Sequence, residues 1–147
     1  MLLLDIDNTI SPAQITPEIE AYWDKYGGYQ TKRAGGFDIS IPTYTIEALQ
    51  NLDDVYMLST WRELASDIPK AFGFTAQTLD YTDYTSQHGI QAKFDVAKHF
   101  GKDVRAWADD HLTPTMRKWC KENNVLAIKP NKRGLTYQQA QMLKNNL

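Results

Sequence analysis

Short apolar runs recur along the chain at Met1–Leu4, Val55–Leu58, Ala76–Leu79, Val104–Ala108 and Val125–Ile128, and segments with helical signals separate them. Apolar residues follow one another in these runs with little polar alternation, which predicts strands covered on both faces. Each gap is long enough for a helical crossover, the connection that parallel strands need. The expected fold is therefore α/β, with a parallel sheet between helices. A length of 147 residues fits one domain over 1–147, and 42% hydrophobic residues exclude disorder as the main state.

Helix starts are written in capping chemistry. Thr16 precedes Pro17 and Glu18, Thr113 precedes Pro114, and Thr136 stands three residues before Gln139 as a capping box. Further helices are expected over Thr45–Leu52, Arg62–Phe72 and Gln91–Phe100, with Pro69 breaking or kinking the second near Ile68 and Gly101 stopping the third. Tyr26 to Pro42, rich in glycine and aromatics, reads as a loop or hairpin. Its role is either a surface connection or a flap over a site.

Sixteen Lys and Arg against eighteen Asp and Glu give a net charge of −2, so general attraction to nucleic acid or an anionic membrane is not indicated. Lys129, Lys132 and Arg133, and separately Arg117, Lys118 and Lys121, form small basic clusters that read as solvated faces. The longest apolar run is far too short for a membrane span, and the single cysteine, Cys120, cannot form an internal disulfide. A soluble, cytoplasmic protein without a membrane partner is expected.

The chemistry concentrates at strand ends. Asp5-Ile6-Asp7-Asn8-Thr9 follows the first run and Asp109-Asp110 closes the fourth, both at carboxyl ends, where open α/β sheets bind ligands. Residues two apart on an extended chain share a face, so Asp5 and Asp7 are expected to face one site. Two carboxylates about 5 Å apart repel by roughly 3 kcal/mol at an effective dielectric of 20, which calls for a hard cation such as Mg²⁺. An EF-hand is excluded, because its glycine position holds Ile10 and its glutamate position Thr16. In isolation Asp5-x-Asp7 reads equally well as a polar turn. Ser59 with Thr60 ends the second run, Arg62 follows, and Lys93 opens the helix before Asp109; separately these are a helix cap, a surface ion pair and a solvated lysine. His88, His99, His111 and Cys120 show no metal or catalytic spacing, and Trp61 and Trp107 are assigned to core packing.

Taken in order, Asp5-Ile6-Asp7-Asn8-Thr9, Ser59, Lys93 and Asp109-Asp110 resemble the four-motif series of the haloacid dehalogenase superfamily, over residues 1 to about 111. The resemblance implies a three-layer sandwich with strand order 3-2-1-4-5. It makes Asp5 the nucleophile that forms an aspartyl-phosphate and Asp7 the general acid and base. It implies Mg²⁺ held by Asp5, Asp7 through its backbone carbonyl, and Asp109, with Asp110 a ligand through water or an orienting group. Ser59 and Lys93 would bind phosphate, with Thr60 and Arg62 beside them. Asp7 points to a phosphatase, and the stretch between Ile10 and Val55 leaves no room for a cap domain beyond the flap, about residues 26–42. Such an open site suits a phosphorylated substrate of unspecified size, with a neighbouring subunit as an alternative lid through oligomerisation. A phosphatase for nucleic-acid ends or nucleotides is the nearest alternative, and a catalytically inactive binding protein of the same fold is the alternative from another class.

Overall fold

A computed structural model describes residues 1–131 and 133–147; Lys132 of the first basic cluster lies outside the described residues. Five strands form one parallel sheet: β1 (Leu2–Leu4), β4 (Val55–Leu58), β5 (Gln77–Leu79), β6 (Ala106–Ala108) and β7 (Leu126–Ile128). Residues 26–42 resolve as an antiparallel hairpin, β2 (Tyr29–Ala34) and β3 (Phe37–Pro42), outside that sheet. The order across the sheet is β5-β4-β1-β6-β7. In whole-chain numbering this differs from the expected 3-2-1-4-5 because the hairpin adds two strands before the second strand of the sheet.

The helices are α1 (Pro17–Lys25), α2 (Thr43–Gln50), α3 (Asp67–Phe72), α4 (Gly89–Phe100), α5 (Pro114–Glu122) and α6 (Tyr137–Asn146). Side chains alternate across the sheet, so Leu2 and Leu4 face one core and Leu3 the other. The first core also holds Ile46 and Leu49 of α2, Phe72 of α3, Leu143 of α6 and Ile39 and Ile41 of the hairpin. The second gathers Phe94 and Val96 of α4 with Met116 and Cys120 of α5. Helix α1 sits outside the first layer, where buried Trp23 packs with Tyr44 and Ala140. Helices thus cover both faces of the sheet, a Rossmann-like layout. None of the described helices is long and apolar enough to cross a membrane.

The predicted caps form: Thr16, Thr113 and Thr136 each accept a backbone N–H from the third residue on, and Gln139 completes the capping box. Pro69 does not break a helix near Ile68. The chain runs as 3₁₀ helix over Arg62–Ser66 and becomes α-helical at Asp67, which places Pro69 in the first turn, where no N–H is needed.

One contact ties the end of the described chain to its beginning. Leu135 N donates to the Thr9 carbonyl at 2.7 Å, and Leu135 in turn accepts from Tyr44 Oη at 2.7 Å. Gly134 has a φ of +83°, and a Cβ there would lie 3.0 Å from the Thr9 carbonyl oxygen. Alanine at this position would meet both a left-handed backbone and that contact. Gly134→Ala is expected to cost about 1–2 kcal/mol, a fall in Tm of roughly 2–8 °C at this size, read by circular dichroism melting.

Candidate active site

Register assembles the site. Leu4 pairs with Met57 on one side and Ala108 on the other, so the residues following β1, β4 and β6 emerge side by side at the carboxyl edge. Asp5 N continues the ladder to the Ala108 carbonyl at 3.0 Å, which sets Asp5 level with Asp109. Beyond Asp5 the chain turns sharply: the Ile6 carbonyl accepts the amides of Thr9, Ile10 and Ser11, and Asn8 adopts a φ of +60°.

Lys93, carried in by α4, lies between the acidic tips. Its Nζ donates to Asp5 Oδ1 at 2.8 Å and to Asp109 Oδ2 at 2.7 Å, and all three side chains are buried. Burial would lower the lysine's pKa, but the facing Asp109 and Asp5 carboxylates outweigh it and hold the ammonium charged. Burial and the Asp5 charge push the Asp109 carboxyl up, against the pull of Lys93 and the His111 amide. One cation faces two carboxylates, which keeps the cation charged and, added to burial, makes the Asp109 carboxyl resist ionisation.

Thr9 links the first motif to the last. Its buried hydroxyl donates to Asp5 Oδ2 at 3.0 Å and accepts the Asp110 amide at 3.1 Å. Asp110 brings a third carboxyl. Its pKa is raised to about 6, first by burial and then by the adjacent Asp5 carboxyl. Asp110 Oδ1 is buried without a hydrogen-bond partner; His111 Nδ1 stands 3.2 Å away, outside hydrogen-bonding geometry. Ligand atoms of Asp109, Asp110 and His111 all lie within 4.8 Å of one another. Two carboxylates on one lysine and a third beside Asp5, with an orphaned oxygen among them, fit a hard divalent cation.

Asp7 does not share the partners of Asp5. Its exposed carboxylate accepts Trp61 Nε1–H at 3.1 Å, because the chain leaves the strand after Leu4 and side-chain alternation no longer holds. Trp61, assigned with Trp107 to core packing, is half-buried and packs against the first core from its edge, while Trp107 is fully buried. Ser59 is buried and accepts the Trp61 amide at 2.9 Å; as the acceptor it keeps its own proton to donate. Thr60 beside it is exposed.

Arg62 is taken up elsewhere. Its Nε and Nη2 grip Asp80 at 3.0 and 2.7 Å, which holds the Asp80 carboxyl far below the ordinary carboxylate range. That ion pair stands at the end of β5 and matches the surface-pair alternative rather than a phosphate contact. The residues missed from sequence are Thr9, His111 and Trp61. Thr9 carried a signal, a hydroxyl one turn beyond Asp5, and His111 directly follows Asp109-Asp110, whereas Trp61 acquires its partner Asp7 only through the fold.

A cleft of about 330 Å³ opens beside Asp7, between the Ser11–Ala13 segment, Trp61 and the hairpin residues Phe37 to Ile39. A smaller cavity of about 190 Å³, with Met1, Leu52 and Arg105 in its walls, lies at the opposite, amino-terminal edge of the sheet. No family model, curated protein or solved structure matches the chain.

Removing the cation from this cluster strands its carboxylates. Lys93→Met is expected to destabilise the metal-free protein by about 3 kcal/mol at pH 7, as measured by urea unfolding, and saturating Mg²⁺ should recover part of the loss.

Proposed function

We propose that the chain is a Mg²⁺-dependent phosphatase resembling a cap-less member of the haloacid dehalogenase superfamily. The observation that carries this reading is the Lys93 ammonium bridging Asp5 Oδ1 and Asp109 Oδ2, groups 88 and 16 positions from it in sequence. A surface lysine would not be buried there, and an idle polar turn would not need it. The strand order adds support: numbered among themselves without the hairpin, β1, β4, β5, β6 and β7 become 1 to 5, and the order reads 3-2-1-4-5.

Asp5, Asp109 and Asp110 are the side chains suited to the metal, with the Asp7 carbonyl as the further ligand the resemblance implies. Bound there, Mg²⁺ supplies charge neutralisation for a phosphoryl group. The chain's own groups do the rest. A carboxylate oxygen of Asp5 attacks phosphorus as the bond to the leaving oxygen breaks, and Asp7 gives that oxygen a proton. Water then loses a proton to Asp7 and attacks the same phosphorus, breaking the acyl phosphate bond and restoring Asp5. Lys93 and Ser59 meet the charge on the transferring group, an electrostatic task that dominates phosphoryl transfer.

Asp5→Asn removes the nucleophile and spares the shape. Turnover of p-nitrophenyl phosphate with Mg²⁺ is expected to fall at least about a thousandfold, and acid-quenched wild-type protein should carry labelled phosphate that the variant lacks. Equal rates in the two proteins would overturn the phosphatase and favour the inactive binding protein.

The metal has its own signature. Mg²⁺ at about a hundred times its Kd should stabilise by roughly 2.7 kcal/mol, seen as a rise in Tm that Asp110→Asn reduces. In the free protein the Asp110 pKa of about 6 lies above its unfolded value, so the folded form binds the extra proton and stability falls as pH rises from about 4 to 6. Mg²⁺ must displace that proton, so its stabilisation should be larger at pH 7 than at pH 5.

A further inference from the structure

The cleft beside Asp7 is built differently from the carboxylate cluster behind it. Phe37 opens β3 at the hairpin tip with 60% of its surface exposed, more than any other large apolar side chain among the described residues. Trp61 stands next to it, with ring centroids 5.7 Å apart and planes tilted by 57°. Pro12 and Ile39 extend the apolar wall.

The hairpin is held in that position. Gly35 and Gly36 have φ values of +58° and +84°, as a two-residue primed turn requires. Gly35 lies so close to Trp61 that a Cβ would stand 2.7 Å from the indole Cζ3, and its amide donates to Asp67 Oδ2 at 3.2 Å. Trp61 in turn donates its indole proton to Asp7. The aromatic pair therefore adjoins the group assigned to protonate the leaving oxygen.

Charge narrows the occupant. The ionisable residues in the cleft wall are Asp7 and Asp38, and no Lys, Arg or His lines it among the described residues. Arg33 reaches Asp38 at 3.4 Å, but that pair is solvent-exposed and Arg33 is not part of the wall. A second phosphate would meet acid rather than base. A volume of about 330 Å³ lies at the small end of ligand sites, enough for one compact group and too little for a polymer segment.

We propose that this cleft receives the leaving group of the phosphate monoester, and that this group bears no second phosphate and carries a planar ring laid against Phe37 and Trp61. The inference rests on the phosphatase reading and names its substrate class. A nucleoside and an aryl alcohol such as tyrosine share this chemistry, and neither carries a second phosphate.

Matched ligands isolate the ring. Adenosine 5′-monophosphate and ribose 5-phosphate present the same leaving oxygen and differ by the base; phosphotyrosine and phosphoserine make the corresponding pair for aryl esters. Binding to Asp5→Asn is measured by calorimetry with Mg²⁺, and turnover by the wild type. The ring-bearing member of at least one pair should bind about tenfold or more tightly, as expected for stacking on an aromatic side chain, and the pair that shows it identifies the source. Phe37→Ala should reduce that preference to about twofold or less, and Phe37→Leu, which keeps bulk without the ring, should retain only part of it. Adenosine 3′,5′-bisphosphate should bind more weakly than the monophosphate, with the gap widening at low salt. Turnover without ring preference in either pair, or a preference untouched by Phe37→Ala at unchanged Tm, would overturn the proposal and leave the phosphatase standing. Ring preference in binding without turnover of any ester would support the cleft and overturn the phosphatase.

Discussion

A buried ammonium held between two carboxylates from distant strands is the constraint on which the carboxyl edge of this molecule depends. An unpaired charge in such surroundings is costly, and an incompletely neutralised cluster remains poised for more positive charge. Lys93 neutralises part of the charge of Asp5 and Asp109, and Asp110 adds a carboxylate with no cation of its own. The same incompleteness that burdens the fold leaves a group of acidic ligand atoms that could hold a cation.

That cluster is delivered by sheet geometry. Three adjacent parallel strands in matched register end within one layer, so acids at residues 5 and 109 and the hydroxyl of Ser59 emerge side by side without long-range design in the loops. Thr9 then joins the first motif to Asp110 through one hydroxyl. Strand ends carry the buried acidic groups, while the turn after Asp5 and the hairpin line the cleft beside Asp7.

Much of this was legible in the chain itself. Continuous apolar runs have one economical reading when helices separate them, and the strands at residues 55–58 and 126–128 fall where that reading puts them or within a residue of it. Thr-Pro and Thr-x-x-Gln starts depend on local chemistry alone, and all three caps form. What stayed hidden was tertiary. Residues 26–42 read as a loop or hairpin without deciding between them, because β2 is mostly exposed and carries no continuous apolar run. Trp61 reads as core packing and does pack against the first core, but only the fold sets it against Asp7; Arg62 reads equally as a phosphate contact or a surface ion pair until β5 presents Asp80. Lys93 is the clearest instance: nothing local distinguishes it from a solvated lysine, and its burial follows from where α4 crosses the sheet.

The bond between Thr9 and Leu135, with Gly134 pressed against the same carbonyl, has a bearing on how the molecule comes into being. During synthesis the strand bearing Asp5 leaves the ribosome long before its latch is made. The nascent chain can align its early strands, yet the turn that carries the first acids gains this last restraint only when residues 134 and 135 emerge. The turn after the first strand is thus finished by a segment more than 120 residues further along the chain, which makes its final shape a product of tertiary assembly and not of local sequence.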